Sequence, residues 1–279
     1  MAFNHVTGDT RDLLIQDLRL AGCVYAEDEA DAVLAEFTRS PPGVAQPVPG
    51  GSDALIRDYV ERRRMGEPSE YILGWAEVAG IRVRVGPGVF IPRTWSESLV
   101  LRAINLLERL SHGTAVDLGT GSGALALAVQ ARCPHSILWA TEIDPAAAEW
   151  ARLNCASSPG LTVCTGDLYD ALPRTLHQQI DVVLGSLPYV PTEHLPGLPR
   201  DHIEHEPPRA FDGGPGGLVF IERALEGARR WLRPGGHVLL ELGAGQGDAV
   251  SAIAAGAGLK DVVIHRDAHG GELFLEGRR

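Results

Sequence analysis

The sequence predicts an α/β protein built on a doubly wound parallel sheet with a C-terminal antiparallel hairpin, preceded by a small helical domain. A glycine-rich turn directly follows a short apolar run near residue 115. Short apolar runs then alternate with helical periodicity, the pattern of a parallel sheet with crossover helices. Before residue 65 the apolar residues recur at helical spacing only. Together these observations separate a helical start from a nucleotide-binding type of sheet.

The helical start comprises three amphipathic patterns, at 12–22, 27–37 and 53–64. A loop rich in proline and glycine, residues 41–51, interrupts them. Alternation around Gly80 then predicts a two-stranded hairpin. We therefore expect a helical domain at 1–75, a β-hairpin linker at 76–93 and the main domain at 94–279.

The glycine-rich turn is the first candidate binding site. Asp117 ends an apolar strand, and Gly119, Gly121 and Gly123 follow before a helix begins at Ala124. Glycines allow a sharp turn and a close approach of ligand to backbone. The spacing is not the dinucleotide pattern G-x-G-x-x-G, and the turn contains no Lys or Arg. This favours a ligand without phosphates, such as S-adenosylmethionine.

Two further strands end in acidic residues. Glu142 ends an apolar strand that begins at Ser136, at the position from which a carboxylate accepts both ribose hydroxyls. Asp144 and Pro145 start the next helix as its N-cap and first turn. Asp167 follows the strand 161–164 and is a candidate for the adenine amino group. The predicted cofactor-binding residues are Asp117, Leu118, Gly119, Thr120, Gly121, Glu142, Ile143, Asp167, Leu168 and Ser186.

The second half of the chain continues the alternation. A fourth strand at 180–184 leads into the loop 185–191, which faces the cofactor because ligands bind at the carboxyl ends of parallel strands. The remaining predicted elements are a helix at 218–232, a turn at 234–236, a strand at 237–242, a helix at 245–255, and closing strands at 261–265 and 272–275. The helix before the glycine-rich turn is predicted at 96–110.

Composition limits the partners and the compartment. The chain has 279 residues and a formal net charge of −11, which argues against a nucleic-acid substrate because phosphate-backbone binding needs clustered Lys and Arg. Its four cysteines have no C-x-x-C spacing, and no apolar run has the length of a membrane helix. We expect reduced thiols, a cytoplasmic location and no membrane contact.

A metal site is not expected. His202 and His205 stand at helical spacing beside Glu204 and Glu206, a set that contains possible metal ligands. Pro207 follows at once, however, and breaks the helix that would have to present them.

The chain resembles the HemK/PrmC glutamine methyltransferases from about residue 60 to 245. The resemblance implies a class I methyltransferase (Rossmann-like) fold, S-adenosylmethionine as cofactor, and methylation of a glutamine side-chain amide in peptide-chain release factors. The matching segments are Gly66-Glu-Pro-Ser-Glu-Tyr-Ile-Leu-Gly74, Gly88-Val-Phe-Ile-Pro-Arg93, Asp117-Leu-Gly-Thr-Gly121, Glu142, Asp167, Pro188-Tyr189, Glu206-Pro207 and Phe211-Asp-Gly-Gly214.

The substrate loop departs from the family pattern. The family has Asn-Pro-Pro-Tyr where this chain has Ser186, Leu187, Pro188 and Tyr189, which are our candidate catalytic residues. The resemblance implies that the Asn oxygen and the next backbone carbonyl accept the two amide hydrogens, while the Tyr ring supports the planar amide. Ser186 is shorter and can also donate. We therefore favour a small amino-acid-like acceptor with a planar amide or guanidino nitrogen, such as arginine, in specialised metabolism.

Charged residues near the matched motifs are candidates for contacting that acceptor. These are Arg93, Glu97, Glu204 and Glu206. A guanidinium in particular would need a carboxylate as base or orienting group. Trp95 adds an aromatic side chain between two of these candidates, and we interpret it as a packing residue.

Three alternatives stay open. The first is glutamine methylation of the Gly-Gly-Gln motif in a release-factor protein. The second is an adenine-amino methyltransferase of DNA or RNA, since such enzymes use a related loop, although no target-recognition domain is visible. The third is a scaffold that binds S-adenosylmethionine without catalysis, which only the loss of the loop asparagine supports.

Overall fold

The structure is a computed structural model that describes the backbone of residues 8–38 and 51–279, and side chains at 10–37 and 53–279. The described residues form two units. The first comprises the chain up to Gly74 together with Pro199–His205, and the second comprises Trp75–Leu198 and Glu206–Arg279. The predicted loop 41–51 lies outside the described residues except for its last glycine. The three-part division at residues 75 and 93 stays a prediction.

Helices and strands follow the predicted order with small shifts at their ends. The helices are α1 (Gly8–Leu20), α2 (Ala26–Thr38), α3 (Gly51–Arg64), α4 (Ser69–Leu73), α5 (Glu97–Leu107), α6 (Ala124–Arg132), α7 (Pro145–Cys155), α8 (Arg200–His205), α9 (Val219–Trp231) and α10 (Gly247–Gly256). The strands are β1 (Trp75–Val78), β2 (Ile81–Arg84), β3 (Thr114–Leu118), β4 (Ile137–Glu142), β5 (Leu161–Thr165), β6 (Ile180–Gly185), β7 (Leu232–Glu241), β8 (Lys260–Arg266) and β9 (Glu272–Arg278).

The first unit is held by the apolar faces of α1, α2 and α3. Leu18, Val33 and Tyr59 are fully buried in its core. The Tyr59 hydroxyl donates to Glu29, which also pairs with Arg63. A buried charge is tolerated only when it is paired and hydrogen-bonded, and this network satisfies that condition.

The main sheet has seven strands in the order β5-β4-β3-β6-β7-β9-β8. The first five are parallel, and β9 runs antiparallel to both β7 and β8. The chain order reverses between β3 and β6, which makes their carboxyl ends the switch point where open α/β sheets bind ligands. This confirms the predicted Rossmann-like sheet with a closing hairpin.

Alternation along β3 sends its side chains to opposite faces of the sheet. Val116 and Leu118 join an apolar cluster with α9 and α10. Asp117 points the other way, where its carboxylate accepts the backbone N–H of Ala126 in α6. The strand therefore places one carboxyl group at the start of a helix on the opposite face.

The hairpin β1–β2 forms as predicted. Its turn residues Ala79 and Gly80 both have positive φ, 49° and 75°, as a type I′ turn requires. The loop predicted at 234–236 is instead part of β7, which runs from Leu232. The N–H of Gly235 donates a hydrogen bond to the Arg279 carbonyl, and the Gly236 carbonyl accepts one from the Arg279 N–H. On the other side, the pairing of β7 with β6 shifts register between Ile180 and Val182. An irregular strand, not a turn, accommodates this Pro-Gly-Gly segment.

Within the described residues, no helix combines the length and the apolar character that crossing a bilayer requires.

Candidate active site

A cavity of about 350 Å³ opens at the carboxyl ends of β3, β4, β5 and β6. The wall contains most of the residues predicted to bind cofactor or acceptor: Asp117, Gly119, Thr120, Gly121, Glu142, Ile143, Asp167, Leu168, Ser186, Leu187 and Pro188. Leu118 is not among them because it is fully buried in the core below the cavity.

The glycine-rich turn shapes the floor of the cavity. Gly119, Gly121 and Gly123 have φ values of 66°, 56° and 83°, which L side chains rarely adopt. A Cβ on Gly119 would lie 2.9 Å from the Leu187 side chain, so the turn and the substrate loop touch there. Around Gly121 the space within 4 Å of such a Cβ is empty. Backbone atoms, with no side chain over them, therefore form this part of the cavity surface.

Asp117 is buried with one oxygen satisfied and one free. Its Oδ2 accepts from Thr120 Oγ1 at 2.6 Å and from the Ala126 N–H at 3.2 Å. Its buried Oδ1 has no hydrogen-bond partner within the described residues. Burial raises the pKa of this carboxyl to about 7, and the charges of Glu142 and Glu241 act in the same direction. A positively charged group beside Oδ1 would restore the ionised form.

Glu142 is held rigidly at the end of β4. Its Oε2 accepts the N–H of Gly121 at 2.8 Å and its Oε1 accepts that of Asp144 at 2.9 Å. Burial raises its pKa, while these backbone hydrogen bonds act in the opposite direction. Each oxygen keeps a further lone pair for a ligand in the cavity.

Asp167, after β5, pairs with an arginine that the sequence analysis did not consider. Its Oδ2 accepts from Arg223 of α9 at 2.8 Å, and both side chains are partly exposed. Phe220, one turn earlier on α9, lies in the cavity wall. The helix therefore supplies an aromatic ring and a cation next to the predicted adenine site.

The substrate loop is anchored from below. Ser186 Oγ lies 2.5 Å from Glu241 Oε2, at the end of β7. Leu187 is 3% exposed and packs on Gly119. The loop is thus fixed by a hydrogen bond at its first residue and by apolar packing at its second.

Tyr189, a predicted catalytic residue, is not part of the cavity wall. Burial raises the pKa of its hydroxyl to about 12, and the charge of Glu241 acts in the same direction. The Tyr189 carbonyl accepts from Gln246 Nε2 at 2.9 Å. A Cβ on Gly217 would lie 2.1 Å from the same carbonyl oxygen, so only glycine fits there. Trp95, interpreted from sequence as a packing residue, is 51% exposed.

The predicted acceptor-contacting residues have other partners. Arg93 pairs with Glu206, whose side chain is fully buried and also accepts the Ile91 N–H at 2.8 Å. Glu97 is exposed in the first turn of α5, outside the cavity wall. Glu204 belongs to the first unit, where it pairs with Arg200. The structure therefore brings none of these four into the cavity wall.

Phe220, Ser96 and Glu241 are among the residues around the cavity that sequence analysis did not name. Phe220 and Ser96 lie in its wall. Glu241 carried a signal, because it ends an apolar strand in the same way as Asp117 and Glu142. Within the described residues, no group of three or more His, Cys, Asp or Glu side chains is arranged to hold a metal ion.

Comparisons with known proteins decide the family. The methyltransferase small domain family model matches residues 81–193. A release factor glutamine methyltransferase of Moorella thermoacetica is 38% identical over 225 residues, which are 79% of this chain and 78% of the relative. One from Streptomyces coelicolor is 33% identical over 268 residues, covering 95% of both chains. The chain belongs to the HemK/PrmC family of release factor glutamine methyltransferases.

As a HemK/PrmC family member, the chain is a methyltransferase that uses S-adenosylmethionine. The hMettl16 catalytic domain in complex with the MAT2A 3′UTR hairpin 6 has a similar structure over 81% of this chain and 81% of that chain, with a TM-score of 0.54 and 14% identity. At this identity the likeness shows the fold alone, a Rossmann-like class I methyltransferase fold. It carries nothing about the substrate of this HemK/PrmC protein.

Proposed function

We propose that this methyltransferase modifies the side-chain amide nitrogen of a glutamine in a peptide-chain release factor, within a Gly-Gly-Gln segment. The named relatives support this substrate at 33–38% identity over most of their length. They do not support the small acceptor, such as arginine, that the altered substrate loop favoured on sequence grounds. In the structure the altered loop is anchored: Leu187 lies against Gly119, and the Ser186 hydroxyl hydrogen-bonds to Glu241.

The cavity fits the cofactor at three points. The unpartnered Asp117 Oδ1 suits the positively charged amino group of S-adenosylmethionine, and Glu142 suits the ribose hydroxyls. Asp167 suits the adenine amino group, with Phe220 in the wall beside it. When bound, S-adenosylmethionine supplies an electrophilic methyl group on its sulfonium sulfur.

The substrate loop would hold the acceptor nitrogen. An amide nitrogen is a poor nucleophile because its lone pair is delocalised, so alignment supplies much of the rate. Ser186 Oγ and the Leu187 carbonyl would each accept one amide hydrogen, whereas Tyr189, which the resemblance places against the amide plane, lies outside the cavity wall. Two acceptors on one loop fix the direction in which the nitrogen faces.

One observation carries the proposal: the substrate loop and the cofactor residues line the same cavity. Ser186 and Leu187 share its wall with Asp117 and Glu142. A group held by the loop therefore lies next to whatever the carboxylates bind.

The test is a methyl-transfer assay with labelled S-adenosylmethionine and a panel of acceptors. The panel contains a release factor, the same protein with its Gly-Gly-Gln glutamine replaced by glutamate, free arginine and free glutamine. We expect label in the unaltered release factor only. The S186A variant should lose at least tenfold in rate, whereas S251A, on α10 outside the cavity wall, should retain wild-type activity. Efficient labelling of free arginine with none of the release factor would refute the proposal.

A further inference from the structure

Glu241 is a buried carboxyl group that the cofactor and acceptor contacts proposed above leave unused. It is 3% exposed at the end of β7, where the hydroxyl of Ser186 hydrogen-bonds to it. Its Oε1 is buried with no hydrogen-bond partner within the described residues. Burying a carboxyl group is costly unless the group is paired and hydrogen-bonded, and here one of its two oxygens is left without a partner.

The contact decides what Ser186 can offer to a substrate. A serine hydroxyl has one proton and two lone pairs, so it acts as donor or acceptor according to where its proton points. The 2.5 Å separation from Glu241 Oε2 matches a strong hydrogen bond to a carboxylate, and this hydrogen bond opposes the rise in the pKa of Glu241 that burial causes. When that carboxylate takes the proton, Ser186 Oγ has only lone pairs left for the cavity, whose wall it helps to form.

A substrate with a side-chain amide requires hydrogen-bond acceptors, not donors, where its nitrogen binds. The amide nitrogen carries two N–H donors and no acceptor. A freely rotating serine hydroxyl would spend part of its time with its proton directed at those donors. A serine in this loop therefore matches an amide nitrogen only when something else holds its proton.

We propose that Glu241 is a positioning residue for methyl transfer: it holds the Ser186 hydroxyl proton, so that Ser186 Oγ accepts an N–H of the acceptor amide. This inference rests on the proposed function. It assigns to Glu241 the task of making serine an acceptor in a loop position where the family pattern has asparagine. Glu241 itself contacts neither substrate nor cofactor in this role.

The test compares two replacements of similar size, E241Q and E241M. Glutamine keeps a side-chain oxygen that can accept the serine proton, and methionine does not. With a release factor as acceptor, we expect E241M to lower kcat about tenfold or more and E241Q to stay within about threefold of wild type. Calorimetric titration should give both variants the wild-type affinity for S-adenosylmethionine, because Asp117, Glu142 and Asp167 are unchanged.

The same pair in the S186A background separates this role from a structural one. Without the hydroxyl there is no proton to hold, so E241M and E241Q should then differ by less than twofold. Equal activity of the two single variants, or a penalty of E241M that persists without the hydroxyl, would overturn the inference. If the wild-type protein does not methylate release factor, the proposed function fails and this inference fails with it. If it does and the two variants are equal, only the inference fails.

Discussion

Replacing Asp117 by asparagine should stabilise the protein while weakening cofactor binding. Burial raises the pKa of this carboxyl from 3.8 to about 7. Each unit of pKa shift corresponds to about 1.4 kcal/mol, so keeping the group ionised in the folded state costs ~4 kcal/mol. Asparagine can keep the hydrogen bonds to Thr120 and Ala126 through its carbonyl oxygen, but it places an NH2 group at the buried Oδ1 position, where the protein offers no partner, at a cost of about 1 kcal/mol. The expected net gain is ~3 kcal/mol at pH 8.

The sign follows from the protons bound in each state. Between pH 4 and pH 7 the folded protein holds a proton on Asp117 that the unfolded chain has released, so this group makes stability fall as pH rises. D117N should therefore be about 1 kcal/mol less stable than wild type at pH 4, overtake it through this interval and reach its full advantage above pH 7. The amino group of S-adenosylmethionine needs the charged form, so the variant should bind cofactor at least tenfold more weakly.

The assay is urea unfolding followed by tryptophan fluorescence, since all five tryptophans lie in the second unit. Calorimetric titration at pH 8 gives the cofactor affinity. D170N, at an exposed position close to the cavity, is the control and should change stability by less than about 0.5 kcal/mol. A D117N protein that is less stable than wild type at pH 8, or that binds cofactor equally well, would refute the reasoning.

Two further substitutions test the supports of the site. G217A should unfold at lower urea than G216A: both glycines have positive φ, 73° and 67°, but only Gly217 would place a Cβ against the Tyr189 carbonyl. If G217A and G216A lowered the free energy of unfolding equally, the backbone at Tyr189 could move away from the added Cβ without cost, and the reasoning would be wrong. E206A should cost about 3–5 kcal/mol because it leaves the largely buried Arg93 unpaired, whereas E204A breaks an exposed pair worth under about 1 kcal/mol. Equal costs would contradict the structural role of Glu206.

The sheet was predictable because its signals are local. Short apolar runs and the glycines at 119, 121 and 123 placed β3 to β6 within one or two residues. The start of β7 was not predictable, because Pro-Gly-Gly usually ends a strand. Here its two glycines remain paired with Arg279, at the far end of the chain. That pairing exists only once the hairpin has folded back.

The cavity wall was largely predictable for the same reason: acidic residues at the ends of parallel strands must meet at one edge. The roles assigned to Asp117, Glu142 and Asp167 stay predictions. The ion pair between Glu206 and Arg93 could not be predicted from the sequence, because the two residues lie 113 positions apart. The altered loop favoured a small acceptor, which the relatives do not support; in our proposal a contact that sequence does not reveal, from Glu241 to Ser186, compensates for the change in the loop.

The central claim is that the methyl group of S-adenosylmethionine reaches a release-factor glutamine in this cavity. A tandem mass spectrum of the Gly-Gly-Gln peptide, taken after incubation of release factor with enzyme and cofactor, tests it most directly. We predict that every fragment ion that contains the glutamine gains the mass of one methyl substitution and that every fragment without it stays unchanged. An unmodified glutamine in the presence of bound cofactor, or a methyl group on another residue, would contradict the account.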